Sequence, residues 1–100
     1  MINPKYISYR NPKILKFAKG QPCQHCGIED GTTVAAHQNG LESGRGSGIK
    51  GDDFRVAYLC YKCHGDYDSK RGDFKDETTR EINFYRAMMK TQKLWITELF

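Results

Sequence analysis

The chain has 100 residues, 38% of them hydrophobic and 28% charged, with a net charge of +4. That length has room for one small domain and none for a second, and domains this small bury so little surface that they commonly need a metal or disulfide staple. No apolar run approaches the roughly 20 residues that span a bilayer, and Met1-Ile2-Asn3-Pro4-Lys5-Tyr6 lacks the apolar core of a secretion signal. The expectation is a soluble cytoplasmic protein without a membrane partner, whose thiols stay reduced.

The charge is concentrated at the start. Residues 1–22 carry Lys5, Arg10, Lys13, Lys16 and Lys19 and no acid, a local charge of +5. Such a segment suits a polyanion gripped by its backbone, or more plainly a solvated tail. Asn11-Pro12, then Lys13-Ile14-Leu15-Lys16-Phe17-Ala18-Lys19 and Gly20, predict a short helix with an N-cap, a proline in its first turn and a glycine past its end. Lys13, Lys16 and Lys19 are spaced to share one face of it as nucleic-acid contacts. Gln21-Pro22 breaks the helix and leads into Cys23-Gln24-His25-Cys26-Gly27, a tight turn with a thiol at each end.

Residues 32–37 predict a strand with Thr33, Ala35 and His37 on one side, and residues 54–59 a second with Phe54, Val56 and Tyr58 together. The loop between them, Gln38 to Asp53, contains Gly40, Gly44, Gly46, Gly48 and Gly51 and carries Arg45 and Lys50. Glycines permit close approach and cations supply charge, so this loop can follow a phosphate backbone. Cys60-Tyr61-Lys62-Cys63-His64 then opens a polar stretch that could begin a helix ending at Gly72. From Thr78 or Thr79 onward, Ile82, Tyr85, Met88 or Met89, Trp95 and Leu99 recur at mostly helical spacing, which predicts one or two closing helices covering the core. The class is α+β. It divides into a basic lead segment (1–22), a metal-tied core (23–72) and a helical closing region (73–100) of a single domain.

Two Cys-x-x-Cys pairs, Cys23/Cys26 and Cys60/Cys63, supply four thiolates, a complete tetrahedral shell for Zn²⁺. A four-sulfur site has no open position, so this zinc would be structural. Cys60-Tyr61-Lys62-Cys63-His64 also fits the c-type haem attachment pattern, but that reading requires export and leaves the other cysteine pair unexplained. His37 ends the first strand. His64 follows the last cysteine, and Asp68, four residues on, shares its helix face, so an imidazole and a carboxylate could reach one divalent cation.

The order Cys-x-x-Cys, strand ending in His37, glycine-rich loop, second strand, Cys-x-x-Cys-His64 resembles the ββα-metal (HNH) endonuclease motif in its zinc-containing form. More narrowly, Ala18-Lys19-Gly20-x-x-Cys23-Gln24, Val34-Ala35-Ala36-His37, Gly48-Ile49-Lys50, Asp53, Cys60-x-x-Cys63-His64-x-x-x-Asp68 and Met88-x-x-Thr91-Gln92-x-x-Trp95 resemble the YbcO-like nucleases of phages and prophages over roughly residues 14–98. The resemblance implies a small treble-clef-like ββα-metal domain with flanking helices that hydrolyses phosphodiester bonds in DNA, RNA remaining open, during phage DNA processing. His37 would be the general base, and a second divalent ion such as Mg²⁺ or Mn²⁺, held by His64, would neutralise the scissile phosphate. The chain departs from the motif twice. Ala36 stands where many such enzymes carry an Asp or His metal ligand, for which Asp68 is the replacement candidate. The Asn that orients the base is also missing, with Asp52 or Asp53 nearby and Asn39 as an alternative. The rival reading is a non-catalytic zinc module that binds nucleic acid or protein. Oligomeric state is not legible.

Overall fold

The computed structural model describes residues 9–39 and 51–100, so Arg45, Lys50 and most of the glycine-rich loop lie outside the described residues. The order is helix α1 (Pro12–Phe17), strand β1 (Val34–His37), strand β2 (Val56–Leu59), helix α2 (Tyr61–Ser69), a 3-10 turn (Gly72–Phe74), helix α3 (Glu77–Leu94) and a π-helical turn (Trp95–Leu99). It is an α+β arrangement around a two-stranded sheet. Among the described residues no helix is long and apolar enough to cross a membrane.

Helix α1 starts as its sequence predicts: the Asn11 side chain accepts from the Lys13 N–H at 3.1 Å, and Pro12 occupies the first helical position. It buries Ile14 and then Ala18, one turn apart. The strands are shorter than the apolar pattern implied. Asp30 draws the start of the expected first strand into a local turn, its carboxylate accepting from the Thr32 N–H at 3.0 Å and the Thr32 hydroxyl at 2.6 Å. Ahead of β2, the Arg55 N–H bonds back to the Asp52 carbonyl at 3.1 Å and leaves Phe54 outside the ladder. The strands pair antiparallel, with Ala35 opposite Tyr58 and His37 opposite Val56.

Both faces of the sheet are covered. Val56 and Tyr58 pack with Ile14, Ala18 and Trp95, whereas Ala36, Ala57 and Leu59 pack with Cys23, Cys60, Cys63, Tyr67, Phe74, Phe84 and Met88. All of β2 is therefore buried. Helix α2 ends earlier than Gly72, because Lys70 takes the left-handed conformation (φ 56°) and caps it. Gly72 instead opens the 3-10 turn at φ +54°, where a Cβ would lie 2.9 Å from Asp66 Oδ2.

Helix α3 is a single helix capped by Asp76, whose side chain accepts from the Thr79 N–H at 3.1 Å. Its buried stripe is Phe84, Ala87, Met88 and Thr91, continued by Trp95. Ile82 and Tyr85, expected in the core, are 45% and 56% exposed, and of the two methionines Met88 points inward while Met89 does not. Phe84 wins the inner face because it stacks on Tyr67, with ring centroids 4.3 Å apart. The end of α3 and Trp95 after it are fastened by hydrogen bonds to β2 and to Phe54 ahead of it. The Tyr58 N–H donates to Thr91 Oγ1 at 3.0 Å, Trp95 Nε1 to the Tyr58 hydroxyl at 2.9 Å, and Gln92 Nε2 to the Phe54 carbonyl at 2.9 Å. The Tyr58 hydroxyl in turn donates to the Ile14 carbonyl, so one buried phenol joins α1, β2 and α3. Burial pushes the Tyr58 pKa up, against the opposing pull of the Trp95 bond.

Candidate metal centre and active site

The turn at residues 23–27 and the start of α2 bring Cys23, Cys26, Cys60 and Cys63 together, with their sulfurs all within 4.8 Å of one another and no disulfide formed. Each Cys-x-x-Cys pair bends so that backbone N–H groups face the first sulfur. Those of His25 and Cys26 lie 3.4 Å from Cys23 Sγ, and that of Cys63 lies 3.5 Å from Cys60 Sγ. The Cys26 and Cys60 sulfurs are 3.7 Å apart. A tetrahedron with metal–sulfur bonds of about 2.3 Å has edges of about 3.8 Å, so the donors fit a tetrahedral cation such as Zn²⁺. Burial pushes the Cys23 thiol up, yet the N–H groups of Cys26, Cys60 and His25 outweigh it and bring the pKa down to about 7. Burial raises Cys26, and raises Cys63 further with the help of the neighbouring Cys23 charge. The pocket thus favours one thiolate and resists the next, a balance that a bound cation reverses. His25, between the first two ligands, bonds to Asp73 at 2.8 Å and packs on Phe74, which ties the turn to the segment after α2.

His37 ends β1 with its ring nitrogen Nε2 3.0 Å from Asp53 Oδ1. Asp53 is 1% exposed. Burial opposes its charge, but the Asn11 N–H, His37 and Arg10 together hold its pKa below the ordinary carboxylate range. An ionised carboxylate only accepts hydrogen bonds, so neutral His37 carries its proton on Nε2 and keeps the lone pair on Nδ1. Of the candidates near the missing motif Asn, Asp53 is the one that meets the ring. The backbone N–H of Asn39 donates to the Tyr67 hydroxyl at 2.8 Å. That bond pins the exit of β1 to α2, one turn beyond His64.

His64 and Asp68 contact each other on α2, Nε2 to Oδ2 3.2 Å, as their spacing predicted. They line an open groove with Tyr61, Lys62, Asp66 and Arg71. Among the described residues, the cysteines form the one cluster of three or more His, Cys, Asp or Glu side chains suited to a metal. Ala36 is buried with Cys23, Cys60 and Cys63, so β1 offers no ligand there. His37 lines a different groove, of about 640 Å³, between α1 and β1. Lys16 and Lys19 line it too, beside Leu15, Thr33 and Ala35. Lys13, expected with them, is exposed but does not line this groove.

Comparison with known protein families decides the relationship. The family model described as "Putative nuclease YbcO" matches residues 12–98. The chain belongs to the YbcO family. No curated protein and no solved structure gives a match. The YbcO match takes in the four cysteines, His37, Asp53, His64 and the lysines of α1, and it begins after Arg10 and Asn11. Those two residues both hold Asp53, although in the sequence Arg10 registers only as charge and Asn11 only as a helix cap. No local pattern signals their link to a residue 42 or 43 positions away.

Proposed function

We propose that this YbcO-family protein is a metal-dependent DNA endonuclease of the HNH type, built on a structural zinc and acting in phage or prophage DNA processing. The observation that carries the reading is His37 held by the buried Asp53 carboxylate in a groove that Lys16 and Lys19 also line. In this reading Nδ1 of His37 takes a proton from the attacking water, and Asp53 stabilises the imidazolium that results. The hydroxide attacks phosphorus and the bond to the leaving oxygen breaks. Lys16 and Lys19 hold the sugar–phosphate backbone, joined by Lys13, Arg45 and Lys50. His64 and Asp68 would hold a divalent ion such as Mg²⁺ or Mn²⁺, whose charge offsets that of the phosphate and the leaving oxygen. RNA presents the same phosphodiester, and assays on both polymers assign the substrate.

Incubation of supercoiled or branched DNA with the zinc-loaded protein and Mg²⁺ or Mn²⁺ tests the proposal. Wild type is expected to nick about 10²- to 10⁴-fold faster than a His37→Ala variant that retains its zinc; equal rates sink it. The second reading, a zinc module that binds without cutting, draws on the burial of Ala36, which leaves β1 without a metal ligand. A divalent ion that binds wild type and not His64→Ala, with zinc still present in both, favours the enzyme.

A further inference from the structure

We infer that residues 9–11 form a strap that positions the base, with Arg10 acting on His37 through Asp53; as a role in catalysis, this rests on the nuclease reading above. The strap is stitched to the segment before β2 at every residue. The Tyr9 N–H donates to Asp52 Oδ1 at 2.8 Å, and the Asp53 N–H returns a bond to the Tyr9 carbonyl at 2.9 Å. Arg10 Nη1 reaches the Gly51 carbonyl at 2.7 Å and Asp53 Oδ1 at 3.0 Å. The Asn11 N–H donates to Asp53 Oδ2 at 2.6 Å.

Both oxygens of Asp53 are thus engaged by the strap, and the oxygen that Arg10 holds is the one that meets His37. A carboxylate this deeply buried stays ionised only with charged or hydrogen-bonded partners. Without Arg10 it keeps the Asn11 N–H and a neutral imidazole, so it protonates or turns more readily. A protonated Asp53 can donate to Nε2, which moves the imidazole proton to Nδ1 and leaves the base without its lone pair. The strap therefore selects the competent tautomer. Arg10 is 40% exposed at its side chain, so a phosphate contact is the competing role, and it has a different kinetic signature.

The test uses the full zinc-loaded chain carrying Arg10→Gln or Arg10→Lys, with zinc content and circular dichroism confirming the fold. Arg10→Gln is expected to lower kcat about tenfold while KM stays within about twofold, and Arg10→Lys to recover most of the loss. Nitrogen-15 spectra of the histidine rings are expected to show His37 as a single Nε2–H tautomer in wild type and as a mixture in Arg10→Gln. A several-fold rise in KM with kcat unchanged would make Arg10 a substrate contact and overturn the inference, as would an unaltered tautomer. Should Arg10→Gln fail to fold, the wild-type spectrum decides alone: a single Nε2–H tautomer of His37 supports the strap, and an Nδ1–H or mixed ring rejects it. The spectra do not depend on turnover. If His37→Ala nicks as fast as wild type, the hydrolytic reading fails while the ring spectra still decide whether the strap sets the tautomer.

Discussion

The cysteine cluster and the His37 centre are both polar constellations in a small protein, assembled by opposite means. Each half of the cluster is local: a Cys-x-x-Cys segment bends so that backbone N–H faces its first sulfur, and the halves meet where all four sulfurs come within 4.8 Å of one another. The His37 centre has no local half. Its ring comes from the end of β1, its carboxylate from the segment before β2, and the partners of that carboxylate from the strap ahead of α1. The first arrangement concentrates binding energy in one shell, whereas the second spreads modest hydrogen bonds over three segments. In the proposed reading this is a division of labour, in which the thiols hold the fold through a metal and the distributed network tunes one imidazole.

Removing the metal should separate the two regions most sharply. Structural zinc sites contribute about 10–16 kcal/mol, comparable to or above the roughly 5–15 kcal/mol total stability of a small domain. Chelation, or Cys60→Ser, is therefore expected to abolish cooperative unfolding and activity together, as followed by circular dichroism and zinc release. A folded, cooperative metal-free protein would break the comparison. His37→Ala should do the reverse, losing the activity described above with the melting transition nearly intact.

Asp53 belongs to both worlds, since it is buried and it holds the His37 ring. Its folded pKa lies below the ordinary value of about 3.9, so it adds stability that is present above that value and lost as pH falls through the folded pKa. Wild type should exceed Asp53→Asn by about 1–3 kcal/mol near neutrality, and the gap should shrink on acidification below about pH 5. Denaturant titrations with zinc content monitored check this; a gap independent of pH would mean that the carboxylate charge is not what matters. The smallest effect belongs to the groove. Lys16→Ala and Lys19→Ala should each weaken DNA binding a few-fold and reduce the salt dependence by about one unit of slope, without moving the melting temperature. A change in kcat at saturating DNA would place them in the chemistry instead.

The same contrast explains which features were legible from residues alone. Asn11-Pro12 announced α1 because capping is a first-turn interaction, and the turn at residues 23–27 and the helix start after Cys60 were visible because Cys-x-x-Cys spacing is itself a local pattern. The inner face of α3 was not. Ile82, Tyr85 and Met89 are as periodic as Phe84, Met88 and Thr91, and periodicity cannot say which stripe meets the sheet. Thr91 settles it through a hydrogen bond to the Tyr58 backbone, together with the Phe84 stack on Tyr67. The side-by-side placing of Phe54, Val56 and Tyr58 likewise said nothing of Ala57 and Leu59, which are buried too because the strand lies between two layers.

The sequence by itself determined the four-cysteine cluster that could hold a metal, the pairing of His64 with Asp68, the capped basic helix and the family, because each rests on residue identity at short, regular spacing. Only the tertiary structure decided that Asp53 rather than Asp52 or Asn39 meets His37, that Arg10 and Asn11 hold that carboxylate, and that Lys16 and Lys19 share a groove with the imidazole. Those contacts join segments far apart in the chain. They exist because sheet pairing and the two flanking cores bring the segments together, and nothing in the local chemistry of Arg10 or Asp53 specifies the partner.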